Sequence, residues 1–181
     1  LDAAGTKPAG DAIFPSTSKS APAPAKPRHS HSGIVVEGLD NCLVKFSKCC
    51  SPVPGDPVVG FITRGFGVSV HRADCPNAAP EKRKPEEAGR WVNVSWVEGD
   101  LDGYRTGLEI SAKDRDGLTL DIAMALSSLK VKVNSLSARG QPDGYAAVNL
   151  EVTVKDVNEL TAVVNKLGQI QGVFLVQRSK G

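Results

Sequence analysis

The sequence predicts an α+β protein of two small domains. A cysteine-rich, β-containing unit spans residues 34–97, and a ferredoxin-like βαββαβ unit spans residues 104–181. Three observations predict this. Apolar residues after Gly103 change spacing from two to helical and back in the order strand, helix, strand, strand, helix, strand. Residues 34–97 hold short β-branched runs cut by Pro and Gly turns, together with every cysteine. Residues 1–33 and 98–103 hold almost nothing to bury, so they read as linkers around and between the units.

In residues 1–33, Pro8, Pro15, Pro22, Pro24 and Pro27 interrupt any helix, and only Ile13-Phe14 offers apolar surface. Burial there cannot offset chain entropy, so a disordered linker is expected. His29 and His31 read as part of a solvated basic tail. Leu1 is not a start methionine, so the chain reads as a piece of something longer.

The first unit opens with Ile34-Val35-Val36 as a strand, and Cys42 to Phe46 is a second. Pro52, Pro54 and Pro57 with Gly55 then impose an irregular turn. Val58–Thr63 and Val68–His71 flank Arg64-Gly65-Phe66-Gly67, a β-hairpin with a short Gly-containing loop. Pro80 to Gly89 is charged and proline-bounded, an expected exposed loop, and Arg90 to Val97 alternates as a further strand. About 60 residues bury little apolar surface, so a metal clip would be useful here.

In the second unit Leu108, Ile110 and Ala112 alternate as a strand, and Lys113 to Gly117 is a polar turn. Leu118, Ile122, Ala125, Leu126 and Leu129 share one helical face. Val131, Val133 and Ser135 begin the next strand, and Gly140 to Gly144 is a hairpin loop. Ala146, Val148, Leu150, Val152 and Val154 alternate with polar residues in a half-buried strand. Asp156 with Glu159 has capping-box spacing ahead of Leu160, Val163, Val164 and Leu167. Gly168 stops that helix, and Val173 to Arg178 closes the unit as a strand.

Composition excludes several classes. No stretch nears the roughly 18 consecutive apolar residues of a membrane helix, and no secretory signal is readable. The formal net charge is +2, and the 33-residue tail carries all of it. Bulk charge therefore does not drive nucleic-acid binding, and any RNA contact needs a local patch. Four cysteines are too few for a disulfide scaffold, so reduced thiols in a cytoplasmic setting are expected. Cys49, Cys50, His71 and Cys75 offer three sulfurs and an imidazole, a set that suits tetrahedral Zn²⁺. Adjacent cysteines point apart on an extended strand, so both ligate only if the turn is sharp. Two other readings stand beside zinc: small buried hydrophobes, and a redox pair. Cys42, placed on a strand, reads as core and as the reserve ligand.

The run Asp40–Asp56, with Cys49-Cys50-Ser51-Pro52-Val53-Pro54-Gly55-Asp56, resembles the C-terminal cysteine-rich domain of long RelA/SpoT-type stringent-response enzymes. Val58–Asn77, with Val70-His71-Arg72-Ala73-Asp74-Cys75-Pro76-Asn77, continues the resemblance. Asp114-Arg115-Asp116-Gly117-Leu118 and Val131-Lys132-Val133-Asn134 resemble that family's ACT domain. The resemblance implies a regulatory region of a (p)ppGpp synthetase/hydrolase, a GTP pyrophosphokinase. Its cysteine-rich domain is zinc-finger-like. No phosphate-binding Gly-rich loop and no histidine-rich hydrolase site occur in this sequence, so no catalytic residue and no nucleotide cofactor are expected here.

The resemblance also implies docking on ribosomal RNA near uncharged tRNA, with Lys45, Lys48, Arg64, Phe66 and Arg72 as the contacts. On the residues alone, the hairpin tip reads equally as an ordinary Arg-Gly loop. The ACT domain implies a homodimer and an amino-acid site at Asp114, Arg115, Asp116, Gly117, Leu118 and Asn134. The N-terminus of the following helix would receive a carboxylate. Leu118 would line an apolar pocket suited to valine or isoleucine. Asp-Arg-Asp-Gly is also an ordinary turn in which Asp114 or Asp116 caps the helix. The alternatives are a ligand-free dimerisation and autoinhibition module, or a thiol redox switch.

Overall fold

The computed structural model describes residues 33–97 and 102–180. The expected linker residues 1–32 and 98–101 lie outside the described residues.

The first domain is a five-stranded sheet. Its strands are β1 (Ile34–Val36), β2 (Val44–Phe46), β3 (Val58–Thr63), β4 (Gly67–Arg72) and β5 (Trp91–Trp96), in the order β1-β5-β3-β4-β2. All neighbours are antiparallel except β2, which runs parallel to β4 with Val44 opposite Val68. Ile34, Val36, Val68 and Val70 form its buried centre. Gly67 ends the β3–β4 loop at φ +84°, and a Cβ there would meet the Leu43 carbonyl at 2.1 Å. That carbonyl accepts from the Val68 amide at 2.8 Å, so only glycine lets the chain entering β2 reach β4.

Two expectations are corrected in this domain. Cys42 precedes β2 rather than lying on it, and packs half-buried against the sheet's apolar centre. Its strand starts at Val44, the first residue paired with β4. The segment expected to be an exposed loop forms two 3₁₀ turns, Pro80–Lys82 and Pro85–Arg90. Each starts with proline, whose fixed φ is preset for a helical turn. Both are drawn back by arginine: Arg83 lies over Trp91 and Arg90 over Phe61, each 4.4 Å from the ring centroid.

The second domain follows the expected order. β6 (Tyr104–Lys113), α1 (Leu118–Ser128), β7 (Lys132–Gly140), β8 (Tyr145–Val154), α2 (Val157–Gly168) and β9 (Val173–Arg178) build a four-stranded sheet ordered β7-β8-β6-β9. Every neighbouring pair is antiparallel. β6 and β8 bury alternate residues, Leu108, Ile110, Val148, Leu150 and Val152 among them. α1 adds Leu118, Ile122 and Leu126, and α2 adds Leu160, Val163 and Leu167. The α2 cap is as the sequence predicts: Glu159 N donates to Asp156 Oδ1 at 2.8 Å. The Glu159 carboxylate reaches back to the Lys155 amide.

The prolines after Cys50 join the two domains. Val53 is fully buried (0% exposed) and belongs to the second domain's core. Pro54 O accepts from Val157 N at 2.8 Å at the start of α2. Gly55 has φ +97°, and a Cβ there would lie 2.5 Å from Val157 Cγ1. Phe46, Trp96 and Tyr104 pack ring against ring at 5.4–5.6 Å across the same seam.

Candidate metal centre

The four residues singled out by their chemistry converge. Cys49, Cys50, His71 and Cys75 place their ligand atoms within 4.8 Å of one another. Cys49 Sγ lies 3.4 Å from His71 Nδ1, 3.6 Å from Cys75 Sγ and 3.9 Å from Cys50 Sγ. Thiolates bound at about 2.3 Å to a tetrahedral centre stand roughly 3.8 Å apart. The cluster therefore already has the spacing of a closed tetrahedral site, and its donor set fits zinc.

The adjacent cysteines face one point because the chain curls there. Cys50 N and Ser51 N both donate to Ser47 O, at 3.4 and 2.9 Å. In such a turn successive side chains are about 100° apart rather than opposed. Ser51 ends the turn at φ +39°, in the left-handed region. Cys75 arrives through a second turn, its amide donating to Arg72 O at 3.0 Å. Arg72 N donates to Cys50 Sγ at 3.4 Å.

The electrostatics favour a cation. Burial, with the nearby Cys49 and Cys75 sulfurs, pushes the Cys50 thiol up to about 12 against the Arg72 amide bond. Burial also opposes ionisation of Cys49, but hydrogen bonds with Asn77, Cys75 and Cys50 bring that thiol below its ordinary value. The two adjacent thiols are thus shifted in opposite directions, the more buried one upward and its neighbour downward. Burial lowers the His71 pKa, so the ring is neutral at pH 7. Its Nε2 lies 2.8 Å from Ser47 Oγ, which in turn lies 2.7 Å from Ser69 Oγ. With Nε2–H donating to Ser47, Nδ1 turns its lone pair toward the sulfurs.

Sequence reasoning missed Ser47, Asp56 and Arg178. Ser47 meets His71 because β2 runs parallel to β4, a pairing between distant segments that leaves no periodicity. Asp56 is 7% exposed and accepts from Val53 N and from Arg178 Nη1. Arg178 closes β9, and the only sequence signal was a charged residue ending an apolar strand.

Three of the five expected RNA-contact residues line one groove. Lys45, Lys48 and Phe66 line one groove of about 340 Å³ with Phe46, Ser47, Thr63 and Ser69. Phe66 is 76% exposed at its rim. Arg64 instead lines a separate cleft with Phe61, Lys84, Glu86, Glu87 and Arg90. Arg72 is ion-paired with Asp74.

Asp114 to Leu118 lie at the start of α1, but Asn134 does not join them: Lys113 ends β6 opposite Tyr145, whereas Asn134 stands beside Val152 and Thr153 toward the other end of the sheet. Gly117 stands at the helix N-cap with φ +79°, and no side chain caps that end, so neither Asp114 nor Asp116 has the capping role. Leu118 is 3% exposed and belongs to the core, because it is the first residue of the helix's buried stripe. Arg115 ties the loop down, donating to Gln171 O, Asp116 O and the Asp121 carboxylate. Asn134 is the extra residue of a β-bulge between β7 and β8, and its side-chain amide donates to Thr153 Oγ1 at 2.8 Å.

Fold and cluster together define a small sheet domain bearing a cysteine–histidine cluster, joined to an ACT-type domain. Residues 34–97 match the RelA/SpoT RIS domain, and residues 101–178 match an ACT domain. The chain is 40% identical over 152 residues to a GTP pyrophosphokinase of Myxococcus xanthus, covering 83% of this chain and 19% of that protein. It is 36% identical over 156 residues to the bifunctional (p)ppGpp synthase/hydrolase RelA of Mycobacterium tuberculosis, covering 86% and 21%. The crystal structure of the ACT domain from a Chlorobium tepidum GTP pyrophosphokinase is 31% identical, covering 41% of this chain and 96% of that one, with TM-score 0.38. The chain belongs to the RelA/SpoT family and matches its C-terminal regulatory region. It spans about a fifth of the length of the curated relatives it matches.

Proposed function

We propose that this chain is the ribosome-reading regulatory region of a cytoplasmic stringent-response GTP pyrophosphokinase. It would couple ribosome and tRNA status, and amino-acid binding, to alarmone synthesis or hydrolysis carried elsewhere in the parent protein. The observation that carries this reading is the groove where exposed Phe66 faces Lys45 and Lys48. An aromatic ring beside two cations offers stacking to a base and charge to its phosphates. The groove shares Ser47 and Ser69 with the hydrogen-bond chain that reaches His71, which connects it to the candidate ligand cluster. Cys49, Cys50, His71 and Cys75 would hold zinc, which supplies a structural cross-link with no open position for catalysis. Among the described residues no helix is long and apolar enough to cross a membrane.

The test is ribosome co-sedimentation over a salt series. Phe66→Ala is expected to lower the bound fraction at every salt concentration. Lys48→Glu is expected to lower it and to flatten the salt dependence by about one phosphate contact. Wild-type binding and slope in both variants would sink the reading.

The amino-acid part of the proposal rests on the uncapped N-terminus of α1 at Gly117, where a Cβ would meet nothing nearer than Arg115 Nη1 at 3.8 Å. Its backbone donors can receive a carboxylate, with valine or isoleucine as ligand. ACT pairing into a homodimer belongs to the same proposal.

A further inference from the structure

Arg178 ends the last strand of the second domain, yet its polar contacts lie in the first. Nη1 donates to both Asp56 carboxylate oxygens, at 2.9 and 2.8 Å. Nη2 donates to Ser51 O at 2.7 Å and approaches Cys50 O at 3.5 Å. Those are the carbonyls of a metal-ligand candidate and of the residue held at φ +39° beside it. A left-handed conformation at a non-glycine residue is unfavourable and persists only where its surroundings over-determine it. Here the surroundings are Arg178, the bond from Ser51 N to Ser47 O, and Asp56, which also accepts from Val53 N at 2.9 Å. The guanidinium is largely buried, 16% exposed against 7% for Asp56. Breaking the pair would strand a buried charge, whereas its charge-assisted bonds hold two turns in one register.

We propose that Arg178 is a positioning residue for the Cys49–Cys50–His71–Cys75 centre, by which the second domain holds the cysteine turn in its metal-binding shape. The proposal rests on the metal reading above and deepens it. Arg178 touches none of the four ligand side chains. It fixes the peptide that aims Cys50 at the site, as an outer partner fixes a ligand's orientation. Two consequences are linked. Loosening β9 from the turn weakens metal retention, and binding of a metal tightens the seam between domains by the same factor.

The experiment uses the whole chain, purified without chelator. Metal content of the wild type comes first, and one zinc per chain is the expected result. Zinc release to a chromogenic chelator and Co²⁺ titration are then compared for wild type, Arg178→Met, Arg178→Lys and Gln177→Ala. Arg178→Met keeps the apolar stem and removes the donors. It is expected to lose about tenfold in metal affinity and to alter the Co²⁺ ligand-field bands. Arg178→Lys keeps the charge but cannot span Asp56 and Ser51 together, so it is expected to fall between. It also gives the same reading if Arg178→Met fails to fold. Gln177→Ala, next to Arg178 on β9, removes a side-chain bond to Glu109 of β6 and is expected to retain metal as wild type does. Full zinc in the wild type with unchanged release in both Arg178 variants overturns this proposal and leaves the metal reading standing. Equal losses in Gln177→Ala overturn it too, because the effect would then be general loosening of β9. Substoichiometric zinc in folded wild type overturns the metal reading and this proposal with it.

Discussion

At the scale of residues, Cys49 and Cys50 face one point only because Ser47 O gathers two successive amides and Ser51 accepts a positive φ. Neither feature is written in a Cys-Cys pair. The sequence therefore carried the identity of the ligand set but not its geometry, and the turn expected at Pro52–Gly55 lies one step too late. Those prolines instead make the seam with the second domain. The ligand set leads to a prediction. Structural zinc contributes about 10–16 kcal/mol in small domains. Whole-domain stabilities are about 5–15 kcal/mol. The metal term is as large as the total, so losing a ligand is expected to unfold residues 34–97 rather than soften them. Cys75→Ser removes a buried sulfur without adding bulk. Its Co²⁺ complex should lose thiolate intensity, and amide dispersion for residues 34–97 should collapse. A Cys75→Ser protein with the wild-type amide spectrum would show that the cysteines serve only as buried apolar groups.

At the scale of elements, legibility followed the range of the interactions. β6, α1, β8 and α2 each bury a stripe set by their own residues, so their periodicity announced them. β2 was harder, being three residues long and fixed by pairing with β4 from more than twenty residues away. The 3₁₀ turns before β5 were missed because arginine–aromatic contacts, not apolar spacing, hold them. The loop ahead of α1 was half legible. Its glycine was identified, while burial of Leu118 and the bonds of Arg115 follow from how the helix docks. A carboxylate ligand would then meet the backbone of α1, not Leu118. Amide titration with valine and isoleucine is expected to move the signals of Gly117, Leu118 and Thr119 saturably. The methyl groups of buried Leu118 should stay unmoved. A titration that leaves all three amides in place would reduce the second domain to a pairing surface.

At the scale of the whole molecule, the domains share a core. Val53 from the first is buried among the second domain's strands and helices, and fully burying a valine contributes about 1.5–3 kcal/mol. The Phe46–Trp96–Tyr104 rings and the Arg178–Asp56 pair extend the same seam. Anything that unfolds the first domain therefore withdraws support from the second. The chain carries its own reporters for this. Both tryptophans, Trp91 and Trp96, lie in the first domain, and both α-helices of the described residues lie in the second. Trp91 thus reports on the first domain, Trp96 on that domain and the seam, and helical circular dichroism on the second domain. With metal bound, the two signals are expected to melt together. With chelator, fluorescence should report an unfolded first domain at ambient temperature. The helical signal should then melt several degrees lower, since about 2 kcal/mol shifts a domain of this size by roughly 8–16 °C. A helical transition at the same temperature with and without chelator would mean that the seam transmits no stability. The two domains would then be neighbours on one chain rather than one cooperative regulatory unit.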